Sequence, residues 1–456
     1  MKSQIKILGA GLAGSQAALA LARAGFEVSL VEMRPVVETP VHKTDGCAEL
    51  VCSNSLKSTN PSSAAGMMKA ELALLGSELY AFAQEYSVAA GGALAVNREL
   101  FSSAVTRAIA ENPLIELERR EATDLAQEAQ GFDALIVATG PLTSDALAHS
   151  LAHLTGGEYL AFYDAAAPIV MGESLDMSRI FRQSRYEDGA GDYLNAPFTK
   201  EEYEAFIDAL LSAERVIKKD FESKDLFQAC QPIEEIARAG RDAPRFGALK
   251  PVGLTDPTTG RRPWAALQLR AEDAFGESYN LVGFQTNLTF PEQRRVFRMI
   301  PGLKDAEFAR YGVMHRNTFI DAPRLLDETL RLRTEASTNI PVPIFIAGQL
   351  SGTEGYVEAI RSGLHAAISV CAHIKGVKVP ALPRETAFGA LLAYACDPQT
   401  TDYQPSHVNF GIMPPFENRI RNKQERYAAY AARGVKAFEE YVREVRALGL
   451  IPLPSE

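Results

Sequence analysis

Much is scarce in this sequence, and each scarcity excludes something. Cysteine occurs five times in 456 residues, at Cys47, Cys52, Cys230, Cys371 and Cys396, an odd count at scattered spacing with no C-x-x-C pair. That pattern excludes a disulfide framework and fits a reducing cytoplasm. No apolar run approaches the ~20 residues that cross a bilayer. No internal repeat or low-complexity stretch stands out, and 46% hydrophobic with 23% charged residues excludes disorder, collagen and coiled coil. Basic residues are in deficit, 47 against 57 acidic, for a net charge of −10. A uniformly basic nucleic-acid coat is thereby excluded, and only a local basic site stays open.

What is present begins at the N-terminus. Lys2 and Lys6 precede ILGAGLAGSQAALALA, which has the charged and apolar parts of a signal peptide. Glycines at 9, 11 and 14 fit a strand, a turn and a helix better. Residues 5–8 read as a buried strand, 13–24 as an alanine- and leucine-rich helix ended by Gly25, and 26–32 as a second strand. In such a βαβ opening Gly9 makes the tight turn, Gly11 lets a pyrophosphate approach the backbone, and Gly14 lets helix and strand touch. The stretch Gly9, Ala10, Gly11, Leu12, Ala13, Gly14 then presents its N–H groups to phosphate at the helix N-terminus. Glu32, at the end of the second strand, is placed to accept a ribose hydroxyl.

Two later strands extend this. Residues 133–140 (DALIVATG) end at Gly140, and 344–348 (IFIAG) end at Gly348, followed by Gln349 and a glycine-spaced helix entry at Gly352, Gly355 and Tyr356. Each alone reads as an ordinary core strand. In this order they mark the FAD-binding form of the Rossmann fold, with Gln349 where Asp is usual. No second complete G-x-G-x-x-G follows a strand, so any NAD(P)H would dock transiently on the flavin. The expected architecture is α/β: a discontinuous Rossmann-like FAD-binding domain (1–155 and 326–456) carrying a large α+β insertion (156–325). Within the insertion, 280–288 reads as a strand. In the tail, Ala431, Val435, Phe438, Val442 and Val445 fall on one face of a long amphipathic helix.

The chemistry-bearing candidates are few. Residues 42–58 (HKTDGCAELVCSNSLKS) are too polar for a core element. Cys52 within them is either a small buried thiol or a reactive one beside the flavin. Cys230 precedes a proline- and glycine-shaped loop, Cys371 sits on the apolar face of an alanine-rich helix, and Cys47 and Cys396 are undetermined. His315 is a satisfied structural group or a ligand contact. His149 and His153 have metal-ligand spacing, but with no third ligand nearby they read as a solvated helix face, so no metal is expected. Trp264 stacks on a ring or plugs a core. Arg261 with Arg262 forms one of several basic doublets. The tail concentrates Arg419, Arg421, Lys423 and Arg426, a solvated face or a phosphate track.

Taken together, GAGLAGSQAA, VEMRP, ELVCSNSL, FGALKPVGLTD, YGVMHRNTF, GQLSGTEGY and FENRIRNKQERY resemble, nearly end to end, the TrmFO family of folate- and FAD-dependent tRNA uridine-5-methyltransferases, relatives of GidA-type flavoproteins. ELVCSNSL and YGVMHRNTF are specific to that family. The resemblance implies methylation of uridine C5 at position 54 in the T-loop, with 5,10-methylenetetrahydrofolate as one-carbon donor, FAD supplying the hydride deficit and NAD(P)H re-reducing it. It implies Cys230 as C6 nucleophile and Cys52 as base or protector, with the two roles exchangeable. It places His315, with Arg316, Asn317 and Lys250, on the folate or substrate, and the RIRNKQER tail on RNA. The same chemistry on ribosomal RNA, or a small-molecule flavin oxidoreductase, are the alternatives. Asn97 departs from the family's Asp, and Ala196 and Phe198 from its Cys and Met.

Overall fold

The computed structural model describes residues 3–156, 160–186, 191–217, 231–333, 340–400, 403–418 and 420–452, without the side chains of 160–164, 315 and 316. Cys230 and Arg419 lie outside the described residues. Five parallel strands form one sheet in the order Ile344–Ile346, Ala134–Val137, Gln4–Leu8, Glu27–Glu32, Ile115–Arg119. The strands Ile344–Ile346 and Ala134–Val137 are wholly apolar and buried, as strands covered on both faces are, while polar residues enter at Lys6, Ser29 and Glu32 and along the half-exposed edge strand Ile115–Arg119. The glycine loop leads into the helix Leu12–Arg23, and the helix Tyr356–Lys375 lies against it. Two glycines permit these approaches. A Cβ at Gly14 would overlap the Gly9 carbonyl oxygen, and one at Gly363 would overlap that of Ala13.

The chain leaves this body through Leu160–Ala165 and returns through Met314–Phe319, two antiparallel strands paired from Phe319 opposite Leu160 to Met314 opposite Ala165. Between them stands a six-stranded sheet, ordered Phe181–Arg182, Leu194–Phe198, Ala265–Ala271, Ser278–Leu281, Ile169–Met171, Phe308–Arg310. It has its own core, in which Phe198, Phe206, Phe284 and Phe297 pack together. The strand expected over 280–288 ends at Leu281, because Gly283 turns the chain with φ +77°. A smaller three-stranded sheet, Ser55–Ser58, Ala93–Val96 and Ser87–Val88, follows the Cys52 segment.

The tail helix runs Lys423–Ala447. Its buried face is Tyr430, Ala431, Gly434, Phe438, Tyr441, Val442 and Val445, so Gly434 rather than Val435 meets the body. A Cβ at Gly434 would overlap Met67 Cε, which explains the substitution of surface. Beneath this helix Arg361 and Glu71 are buried together, Nε to Oε2 at 3.2 Å. Glu71 also accepts the Ala387 and Phe388 N–H groups at 2.6 and 3.2 Å, capping the helix Ala387–Ala395. One carboxylate thus ties three helices, Ala64–Leu74, Tyr356–Lys375 and Ala387–Ala395, to one another.

Candidate active site

Gly9, at φ +94°, sits where a Cβ would come within 2.6 Å of the Ala138 carbonyl oxygen. A Cβ at Gly11 would meet nothing within 4 Å, so the chain there faces open space. That space is a groove in two connected parts, which share Gly11, His42, Thr139 and Leu142. The smaller, about 70 Å³, is lined by Gly9, Glu32, Arg34, Arg120 and Thr143 among others. The larger, about 380 Å³, runs past Leu12, Ala13, Gly140, Gly348, Gln349, Gly355 and Tyr356 to Cys52. Of the residues expected at a dinucleotide, Gly9, Gly11, Leu12, Ala13, Glu32, Gly140, Gly348, Gln349, Gly355 and Tyr356 line this groove, and Ala10, Gly14 and Gly352 do not.

Glu32 ends the second strand with its carboxylate engaged. Oε2 accepts the Ala10 N–H at 2.9 Å, and Oε1 accepts the Arg34 N–H and Nε at 3.1 and 2.8 Å. Burial alone would raise this carboxyl, but the Arg34 bond and charge and the backbone donors outweigh it and hold the group below its ordinary range. Glu32 therefore stays ionised, with lone pairs left for a hydroxyl. His42 lies where the two parts of the groove meet, Nδ1 at 2.7 Å from Thr39 Oγ1. Burial, then the Arg34 charge, pushes it down to about 4, so the ring is neutral at pH 7. An elongated apolar groove with a glycine turn at its middle and an anionic acceptor at one end fits FAD. Among the described residues, Gly9–Gly14 and Glu32 would hold its phosphate and ribose end, and Cys52, Gln349 and Tyr356 the flavin end.

Cys52 is half-buried and in no disulfide. Tyr356 Oη accepts its N–H at 2.8 Å and that of Ser53 at 3.1 Å. Arg98 and Arg310 both lie close enough to Cys52 to interact with it electrostatically. Arg98 is held by Glu272 of the insertion, Nε to Oε2 at 2.6 Å and Nη2 to Oε1 at 3.1 Å, and donates to the Leu50 carbonyl at 2.9 Å. Arg270, also of the insertion, reaches Ser53 Oγ at 2.6 Å and Asn54 Oδ1 at 2.7 Å. The Cys52 segment is therefore clamped between the dinucleotide body and the insertion. The other described cysteines differ: Cys371 and Cys396 are buried and pushed up to about 12 by that burial, and burial raises Cys47 too.

The remaining expected residues are placed as follows. His315, Arg316 and Asn317 lie on the returning strand, whose Thr318 N–H bonds the carbonyl of the groove residue Pro141 at 2.9 Å. Lys250 lies on a loop of the insertion and does not line the groove. The chain following Cys230 resumes beside Gln285, which lines the groove; the Ile233 N–H bonds the Gln285 carbonyl at 2.8 Å. His149 and His153 both project from the helix Asp145–Thr155. Asn97 caps the helix Arg98–Ala110 through the Leu100 N–H, a task that Asn and Asp perform alike, and Ala196 and Phe198 are buried in the insertion. Arg34, His42, Arg98, Arg270 and Glu272 were not singled out from the sequence. Only VEMRP, where the second strand ends, and HKTDG, ten residues farther on, offered a signal, as polar residues outside any core pattern.

The tail joins the same region. His407 lines the groove, and the Val408 N–H bonds Glu358, which pairs with Lys57. From there Phe410 stacks on Tyr430 and touches Tyr427, on the first turns of the tail helix. Arg421 and Lys423 are exposed there, while Arg426 bonds the Ile420 carbonyl at 3.1 Å. No described helix is long and apolar enough to cross a membrane.

Fold and groove together define a GidA-type protein, a dinucleotide-binding body carrying a β-rich insertion. The family described as Glucose inhibited division protein A matches residues 4–378. Two crystal forms of Aquifex aeolicus GidA superpose on 99% of this chain with TM-scores of 0.70 and 0.69, covering 77% and 74% of that protein at 15% identity, which is likeness of fold. In sequence the chain is 52% identical to the methylenetetrahydrofolate--tRNA-(uracil-5-)-methyltransferase TrmFO of Geobacter sulfurreducens, over 93% of this chain and 96% of that one. It is 50% identical to the TrmFO of Moorella thermoacetica, over 96% and 98%. The chain belongs to the TrmFO family.

Proposed function

We propose that this chain methylates C5 of a uridine in tRNA, at position 54 of the T-loop, with 5,10-methylenetetrahydrofolate as carbon donor, FAD in the groove and NAD(P)H as reductant, in the cytoplasm. The observation that carries the reading is the placement of Cys52, in the family's own ELVCSNSL segment, at the far end of a groove built for a dinucleotide. Uracil C5 is a weak nucleophile. The Cys230 thiolate adds to C6, the C5–C6 π electrons move into the C4 carbonyl, and C5 attacks the one-carbon unit. Cys52 takes the C5 proton, and the sulfur–C6 bond then breaks to restore the ring. FAD, when bound, supplies the hydride that turns methylene into methyl. His315, Arg316, Asn317 and Lys250 serve the folate or substrate, and Arg419, Arg421, Lys423 and Arg426 contact RNA phosphates.

The purified, FAD-loaded protein should carry label from methylene-folate, and none from S-adenosylmethionine, into unmodified tRNA. Label from S-adenosylmethionine would overturn the reading. RNA containing 5-fluorouracil should trap covalently on the wild type and on Cys52→Ala, and fail on Cys230→Ala. The opposite pattern would exchange the two sulfur roles.

A further inference from the structure

The six-stranded sheet of the insertion has two unlike faces. Leu267 and Leu269 point into its core, while Gln268 and Arg270 point the other way, as alternation along a strand requires. The second face is polar where it meets the Cys52 segment. Arg270 bonds Ser53 and Asn54. One step along the strand, Gln268 accepts from Arg185 Nε at 2.9 Å. Farther on, Phe181, Leu254 and Ala266 pack together on this face, and the loop that leaves Leu254 and returns to the strand at Ala265 carries the exposed Arg261 and Arg262. The seven residues Ala265–Ala271 span about 20 Å at ~3.3 Å each.

Along this length lie four arginines, with the carboxylates Asp192, Asp256 and Glu272 nearby. Among the described residues no carboxylate pairs with Arg185, Arg261, Arg262 or Arg270 within ion-pair distance. The acids nearby have other partners: Asp256 accepts the Thr258 N–H and the Thr259 hydroxyl, Asp192 the Gly91 N–H, and Glu272 pairs with Arg98. An aromatic ring stands among them. Tyr186 is 72% exposed, holds a left-handed φ of +63°, and lies flat enough on Gly253 that a Cβ there would come within 2.9 Å of the ring. A large side chain kept in a costly backbone conformation and turned to solvent is arranged for something outside the chain.

We infer that this face is an RNA seat: Arg185, Arg261 and Arg262 hold phosphates of the strand that leads to the target uridine, and Tyr186 stacks on one of its bases. On a chain of net charge −10, a basic strip with an aromatic platform, ending at the residue beside Cys52, matches a single-stranded polyanion with flat bases. The inference rests on the RNA-methylating reading and adds a second contact surface to the tail.

The test uses the FAD-loaded protein and an unmodified tRNA transcript, with affinity measured across a salt series. Arg261→Ala with Arg262→Ala, both exposed and remote from the groove, should lower the salt slope by about 1.5 units, at ~0.7–0.9 per phosphate. Tyr186→Ala should weaken binding about tenfold at unchanged slope, and Tyr186→Phe should bind as the wild type does. Unchanged affinity and slope in these variants, with wild-type methylation intact, would overturn the seat and leave the function standing. A wild type that neither binds nor methylates the transcript would overturn both. Variants that keep RNA but lose binding to poly-glutamate would make the occupant an acidic protein and the inference wrong.

Discussion

The hydroxyl oxygen of Tyr356 accepts the backbone N–H groups of Cys52 and Ser53, at 2.8 and 3.1 Å, across 304 residues of sequence in the first case. With both N–H bonds on its oxygen, its own proton is free to serve as a donor. Burial, and then the proximity of Cys52, raises its pKa, so the hydroxyl stays protonated. Tyr356 is a positioning residue: it sets the turn that presents the thiol to the groove. Tyr356→Phe leaves two buried donors without a partner, a cost of about 1–3 kcal/mol each at most. Methyl transfer should fall at least tenfold in kcat with little change in KM for RNA, while the bound-flavin spectrum persists. Wild-type kcat would remove the role.

Glu32 should matter to cofactor retention before it matters to chemistry. Glu32→Ala removes the acceptor of Ala10 N–H in the phosphate loop and the anion that partners Arg34. FAD should dissociate on dilution, with Kd raised about 10- to 100-fold, read as the rise in free-flavin fluorescence. An unchanged Kd would place the ribose elsewhere.

Glu234 predicts a pH dependence of stability. Its carboxylate lies in the insertion core, accepting the Asn287 N–H at 2.6 Å and the Thr286 hydroxyl at 3.0 Å. Burial raises its pKa from 4.5 to about 7. A raised folded pKa means the folded state holds the proton more tightly, so this contribution is complete below pH 4.5 and is lost as pH rises through 7. Above pH 8 the loss is on the order of 3 kcal/mol. Glu234→Gln should melt close to the wild type at pH 5 and above it at pH 8. Parallel melting curves at both pH values would contradict the burial argument.

Glu71 tests what holds together the three helices beneath the tail helix. Its removal leaves Arg361 buried and uncompensated and uncaps the helix Ala387–Ala395. Glu71→Ala should cost about 3–5 kcal/mol in denaturant unfolding. A loss below 1 kcal/mol would mean water replaces the carboxylate.

Legibility followed the range of the physics. The glycine loop was readable because turn, helix and strand there are local. Gly9, Gly11 and Gly14 act within six residues of one another, and the expected helix over 13–24 is found at Leu12–Arg23. The tail helix was readable from its period, but its exact face was not. Choosing Gly434 over Val435 depends on Met67, which no periodicity reveals. The strand expected over 280–288 failed at Gly283, where a turn residue outweighed an apolar pattern.

The sequence by itself determined the dinucleotide body and the family, because those depend on backbone conformation and composition within short stretches. Tertiary structure decided the environment of Cys52. Tyr356, Arg98 with Glu272, and Arg270 converge on it from three distant parts of the chain, and a hydrogen bond between residues hundreds of positions apart leaves no periodic trace. The same holds for Tyr186 on Gly253 and for the arginines beside them. As letters they are scattered basic and aromatic residues, and only the pairing of strands makes them one surface.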